Sequence, residues 1–227
     1  MSRERAEDAL ETSWTANAAA WTAVVREDRI ASRVAGTNAA IVSAITARAP
    51  RRLLDVGCGE GWLVRACTAA GAAAVGIDIS APLIDAATAA GGGHFVVMRY
   101  DELASRRAEL GDPFDLIVCN FAVLGESLVP MLRALREVAT DDGALLIQTV
   151  HPWVARGDAP YADGWRTETF AGFGNAFPAS MPWFYRTLGR WIADVRTGGW
   201  QLEAVDEPLH PETGAPLSLL LVATPMR

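Results

Sequence analysis

The chain has 227 residues, of which 51% are hydrophobic and 21% charged, and its net charge is −7. That length carries one sizeable α/β domain with room for an insertion, and so large an apolar share excludes wholesale disorder. The acidic balance argues against nucleic acid or an anionic membrane as partner, since both need basic patches. Cys58, Cys67 and Cys119 lie far apart, as do His94, His151 and His210. No metal-ligand spacing results, so no metal is expected, and three unpaired thiols fit a reducing, cytoplasmic setting. No run of about 18 apolar residues exists to span a bilayer, and the charged "MSRERAEDAL" start does not read as a secretory leader.

Residues 1–50 read as helix. Trp14 and Trp21, seven positions apart, share a face if that helix is continuous. In "TNAAIVSAITARAP", Thr37 is a candidate cap, Ala40, Ile41, Ala44 and Ile45 form an apolar stripe, and Pro50 ends it. From residue 52 the pattern alternates. "RRLLDVG", "AAAVGIDIS", "HFVVMRY", "FDLIVCNF" and "GALLIQTVH" are apolar strands. "WLVRACTAAG", "APLIDAATAAGGG", "DELASRRAEL" and "SLVPMLRALREVA" are the helical stretches between them. In the first helix, Leu63, Ala66, Cys67 and Ala70 mark the inward stripe. Five such strands imply a parallel sheet covered on both faces, doubly wound by right-handed crossovers. The end differs: "RWIADVRTGG" is a helix, and "WQLEAVDEPL" and "APLSLLLVATP" are strands joined through "HPETG", which pair antiparallel. Residues 151–190 fit neither pattern. They are rich in Gly, Pro and aromatics, and ten of the eighteen aromatic residues fall within 153–191. A connection that long is functional or a subdomain of its own.

"LLDVGCGEGWLVRA", residues 53–66, places a glycine-rich turn between strand and helix. A pyrophosphate loop reads G-x-G-x-x-G, with its third glycine packing helix on strand. Here the spacing is G-x-G-x-G, Gly57 to Gly61, and the position of that third glycine holds Trp62. Asp78 ends the second strand, where a ribose-binding acid would stand.

On these motifs the chain resembles the class I methyltransferases that depend on S-adenosylmethionine. "LDVGCGEG" resembles their first motif, "GIDIS" their second-strand acid, "RYDEL" their adenine-binding corner, and "FDLIVCNFAVL" their fourth strand. The resemblance implies a doubly wound, mostly parallel seven-stranded Rossmann-like sheet with a C-terminal antiparallel hairpin and an N-terminal helical cap. It implies one domain over 1–227: cap 1–50, cofactor core 51–150, aromatic lid 151–190, and terminal helix and hairpin 191–227. The implied cofactor is S-adenosylmethionine, with S-adenosylhomocysteine as product. Asp55, Gly57 and Gly59 would meet its amino-acid tail, Asp78 and Ile79 its ribose, and Asp101 and Glu102 its adenine. Asn120 and Phe121 would lie below the sulfonium, and Trp21 and Arg33, from the cap, would close the site, with Arg26 a second cation.

The acceptor side is less determined. "CNFAVLGES" lacks the Pro-Pro of enzymes that methylate nucleobase amines, which with the acidic charge favours a small molecule. The aromatic insert suits an apolar or planar one, with Trp153, Trp165 and Tyr185 expected among the lining. His151 and Tyr185 are the candidate bases, followed by Glu126 and His210. The alternatives are a nicotinamide-dependent oxidoreductase and a noncatalytic cofactor-binding protein. The protein is expected to be a monomer or homodimer.

Overall fold

The computed structural model describes residues 3–226. Its centre is a seven-stranded sheet built from β1 (Arg52–Val56), β2 (Ala73–Asp78), β3 (His94–Val97), β4 (Phe114–Asn120), β5 (Ala139–Val150), β8 (Trp200–Asp206) and β9 (Ser218–Pro225). The order is β3-β2-β1-β4-β5-β9-β8. The first five strands are parallel, and β9 runs antiparallel to both β5 and β8, so the sheet ends in the expected hairpin.

Alternation along each strand divides the apolar residues between two faces. Leu53, Leu116, Val118 and Leu146 point to one side, where they meet Ile41 and Ile45 of α2 (Asn38–Arg48), Leu63 and Cys67 of α3 (Trp62–Ala69), and Ile84 of α4 (Ala81–Ala90). Leu54, Ile117 and Leu145 point to the other. There α5 (Leu103–Arg106), α6 (Leu128–Val138) and α8 (Leu188–Thr197) supply Leu103, Leu132, Leu135, Trp191 and Val195. The chain leaves β1 toward β2 and β3, then returns on the far side of β1 as β4. The strand order therefore reverses between β1 and β4, where a doubly wound sheet opens its binding crevice.

Three local expectations change. Thr37 does not cap α2: a π-turn, Arg33–Thr37, feeds straight into the helix, and the buried Thr37 instead offers its carbonyl to Gln148 at 3.0 Å. The inward stripe of α3 is Leu63, Val64 and Cys67, packed toward β1 and β2, whereas Ala66 and Ala70 face solvent. β5 begins at Ala139, with a register shift before its apolar run.

The insert has structure of its own. A short helix, α7 (Pro152–Ala155), leads to an antiparallel pair, β6 (Gly164–Glu168) and β7 (Met181–Tyr185). The pair sits at the C-terminal edge of the sheet and packs on α1 (Arg3–Arg26), the long cap helix. Trp14 and Trp21 do share a face of α1, their rings 5.2 Å apart edge to face.

Candidate functional site

The loop after β1 turns through Gly57, Gly59 and Gly61, all in the left-handed region at φ 72°, 57° and 83°. At Gly57 a side chain is excluded twice, by that φ and by a would-be Cβ only 2.5 Å from Cβ of Ala122, on the loop after β4. The loops after β1 and β4 thus touch across the reversal point. At Gly59 a Cβ would meet the Trp21 indole, 3.6 Å away, so the cap helix lies directly over the bare backbone. Trp62 opens α3 beside Arg33, whose guanidinium sits 5.7 Å from the Trp62 ring and 5.4 Å from Trp21.

Around this loop runs a narrow crevice of about 60 Å³, lined by Trp21, Arg33, Asp55, Asp78, Asn120 and Phe121, among others. It opens on one side into a cavity of about 410 Å³ bordered by Ile79, Tyr100 and Asp101. On the other side lies a cavity of about 500 Å³ walled by the insert. Trp14 and Leu124 border all three spaces, and Phe121, Trp21 and Arg33 border both the crevice and the insert cavity. Phe121 holds φ at 56°, an unusual conformation for an aromatic residue, and donates its N–H to Gln148 at 2.7 Å.

The charged groups of the crevice are mismatched in a telling way. Asp55 is 2% exposed and its Oδ1 has no partner, while Arg33, 9% exposed, leaves Nη1 unpaired. A buried polar atom without a partner is costly and calls for an explanation. Burial, with the charge of Asp78 behind it and Arg33 opposing, pushes the Asp55 carboxyl up to about 7. Burial likewise draws the Arg33 guanidinium down to about 10, against the pull of Glu60 and Asp55. Asn120 Oδ1 is a further unpaired buried polar atom, an acceptor like Asp55 Oδ1. Asp78 is better served: its carboxylate accepts the N–H of Gly59 at 2.9 Å and of Ser80 at 2.8 Å, while burial still raises its pKa. It therefore holds the glycine loop in shape besides facing the crevice.

The other sequence candidates divide. Asp101 borders the 410 Å³ cavity with its carboxylate largely exposed and paired with Arg99 at 3.3 Å. Glu102 turns away, its carboxylate taken by the Arg99 N–H at 2.8 Å and by Arg106 at 3.1 Å. Arg26 is spent on Glu60 at 2.8 Å and the Ala86 carbonyl at 2.9 Å. His151 does not line the insert cavity: it is buried beside it, with Nε2 2.6 Å from Glu207 on the loop after β8. Tyr185 does line the cavity, but its hydroxyl donates to the Pro152 carbonyl at 2.8 Å, and burial pushes its pKa up. It is a wall. Glu126 accepts the Trp165 indole N–H at 3.2 Å, which turns Trp165 behind the wall, and Trp153 is 58% exposed against Arg156. His210 lies half-buried in the β8–β9 loop, accepting from Glu212 N–H at 3.2 Å. Among the described residues no cluster of His, Cys, Asp or Glu could hold a metal ion.

Sequence reasoning did not enlist Trp14, Tyr100, Ala122, Leu124 or Arg186. Trp14 was signalled by its spacing from Trp21. Arg186, fully buried against Asp194 and the Gly125 carbonyl, carried no signal, because an arginine in a loop reads as solvated.

Comparison with known proteins agrees with this geometry. A family model described as a methyltransferase domain matches residues 28–183. Among curated proteins no match is found. Similar solved structures include a 1,6-didemethyltoxoflavin-N1-methyltransferase from Burkholderia thailandensis, with TM-score 0.67 and 17% identity, covering all of this chain and 92% of that one. DhpI in its complex with SAH matches at TM-score 0.66 and 16% identity, covering 99% of each chain. An S-adenosylmethionine dependent methyltransferase from Mesorhizobium loti matches at 0.60 and 22%, covering 80% and 95%. The chain belongs to the methyltransferase domain family and has the fold of the S-adenosylmethionine-dependent methyltransferases.

Proposed function

We propose that the protein transfers a methyl group from S-adenosylmethionine to a small apolar or planar molecule held in the insert cavity, releasing S-adenosylhomocysteine. One observation carries the reading: Asp55 and Arg33, opposite in charge, both buried and both with an unpaired polar atom, in the crevice over the glycine loop. A zwitterionic amino-acid tail complements that pair, its ammonium toward Asp55 and its carboxylate toward Arg33 and the loop amides. Asp78 would accept the ribose hydroxyls on the lone pairs its amide bonds leave free. Ile79, Tyr100 and Asp101 would border the adenine in the 410 Å³ cavity. Glu102 has no part in this reading.

The bound cofactor supplies an electrophilic methyl on a sulfonium. The chain's own residues do the rest by placement. Asn120 and Phe121, at the end of β4, would lie between cofactor and acceptor, with Phe121 as the partition. Trp14 and Trp21 close the top, and the aromatic wall of Phe170, Phe184 and Tyr185 excludes water from the line of transfer. The Tyr185 hydroxyl is engaged by the Pro152 carbonyl, and His151 stands outside the cavity lining with Nε2 on Glu207 and its unpaired Nδ1 buried, so the reading assigns neither as base; the acceptor brings its own lone pair. Cap, core, insert and hairpin are read as one domain working around one chamber. The acidic net charge and the absence of a basic patch in the lining support a small molecule over nucleic acid. Three free, buried cysteines support a cytoplasmic setting, and no helix among the described residues is long and apolar enough to cross a membrane.

The test is calorimetric titration with S-adenosylhomocysteine and with NAD. Micromolar affinity for the first and none for the second is expected. Binding of NAD alone would overturn the reading.

A further inference from the structure

The cap helix carries an anomaly at its centre. Trp14, Asn17 and Trp21 stand at i, i+3 and i+7, one stripe facing inward. The middle member is a carboxamide, fully buried between two indoles. Two of its three hydrogen bonds reach a residue 162 positions away. Asn17 Nδ2 donates to the Ala179 carbonyl at 2.8 Å, and the Ala179 N–H donates back to Asn17 Oδ1 at 3.1 Å. Nδ2 also donates to Ser13 Oγ at 3.2 Å. The side chain thus pairs with the backbone of the insert at two points, as one strand pairs with another. Around it the rings continue the contact. Trp21 meets Phe177 edge to face at 6.5 Å, and Phe177 stacks on Phe170 at 4.2 Å. Phe170 is part of the cavity wall and is held at φ 56°. At its C-terminal end α1 is tied to the glycine loop, through Arg26 and Glu60.

We propose that Asn17 is a positioning residue, the clamp that makes the cap helix and the aromatic insert a single moving body. A ligand seated under Trp21 then orders the wall of the acceptor cavity without touching it. The physical reason is that the insert cannot open alone. Parting it from α1 would strip a buried carboxamide and a peptide group of their partners together. Cofactor crevice and acceptor cavity therefore close and open in one motion, and filling the crevice holds the wall in the closed arrangement. This rests on the methyltransferase reading only for the identity of the ligand.

The test is hydrogen exchange on the full chain, wild type against Asn17→Ala, with and without saturating S-adenosylhomocysteine. In the wild type the ligand should slow exchange of 170–181 by about tenfold or more, the size of a suppressed local opening. In Asn17→Ala that slowing should vanish while calorimetric affinity for the ligand changes less than about threefold, since Asn17 borders no part of the crevice. Equal slowing in wild type and variant would overturn the clamp, as would no response of 170–181 in the wild type. Asn17→Asp keeps the volume and the acceptor for Ala179 while removing the donor, and gives the same reading if the alanine variant fails to fold. Should the ligand not bind at all, the cofactor reading fails separately. The clamp is then judged on ligand-free protein, where residues 12–24 and 170–181 should open at one common rate that Asn17→Ala splits into two. Unequal rates in the wild type would refute it.

Discussion

Asp55 makes the proposed cofactor site titratable in the working range, and the consequence has a definite sign. Burial and the neighbouring Asp78 hold its carboxyl near 7 in the ligand-free protein. The ligand's ammonium needs the ionised form, so affinity should rise with pH. With a pKa of about 7, roughly one tenth of Asp55 is ionised at about pH 6 and three quarters at about pH 7.5, so the dissociation constant for S-adenosylhomocysteine should fall about eightfold over that interval. Stability runs the other way. A folded-state pKa raised above the ordinary carboxyl value favours the protonated, folded form, so its contribution is complete below about pH 4 and is lost as pH rises through about 7, a matter of a few kcal/mol. Asp55→Asn removes the charge at constant shape. The ligand-free variant should be the more stable above about pH 7, yet bind about 10- to 100-fold more weakly, the worth of a charged hydrogen bond. Calorimetry at about pH 6 and 7.5 decides the first part and chemical denaturation the second. A pH-independent affinity in the wild type, or the same slope retained in Asp55→Asn, would refute the reasoning.

Other positions give sharper contrasts. Asp78→Ala removes the acceptor of the Gly59 and Ser80 amides as well as the ribose acceptor; S-adenosylhomocysteine affinity measured by calorimetry should fall by about 2–3 kcal/mol or more. Gly57→Ala sets a Cβ 2.5 Å from Ala122 at φ 72°. A loss of stability of about 1–3 kcal/mol on denaturation is expected, with cofactor binding abolished. His151→Ala breaks the pairing with Glu207 outside the cavity lining, so the melting temperature should drop while methyl transfer per folded molecule stays within about threefold, far from the 100-fold or more that losing a general base would cost. Tyr185→Phe should cost about 1 kcal/mol of stability for the bond to Pro152, with no change in the pH profile of transfer.

The local periodicities were sufficient for the sheet. Five short apolar runs alternating with helical stripes, closed by two strands around "HPETG", allow few topologies once crossovers must be right-handed. The glycine spacing and Asp78 were legible for the same reason: close approach of backbone to a ligand needs bare residues at set positions, and position along the chain is what a sequence displays. Conversely, the direction in which a side chain points within an irregular segment depends on packing between distant parts. His151 and Tyr185 stand at the expected edge of the sheet, but Glu207 claims Nε2 of His151 and the Pro152 carbonyl claims the Tyr185 hydroxyl, and neither partner is visible from spacing. Of the two tryptophans expected in the lining, Trp153 faces solvent and Trp165 packs behind Phe184, its indole N–H held by Glu126. Asn17 gave no warning, since an asparagine in an alanine-rich helix reads as a polar surface residue until β7 and the chain before it are laid across it. Adjacent parts of the chain decide the strands, helices and glycine turn because backbone hydrogen bonding and apolar periodicity are short-range. The crevice, its unpaired Asp55 and Arg33, and the clamp exist only where segments not adjacent in sequence, 162 positions apart for the clamp, bury one another's polar groups, and burial is a property of the assembled fold.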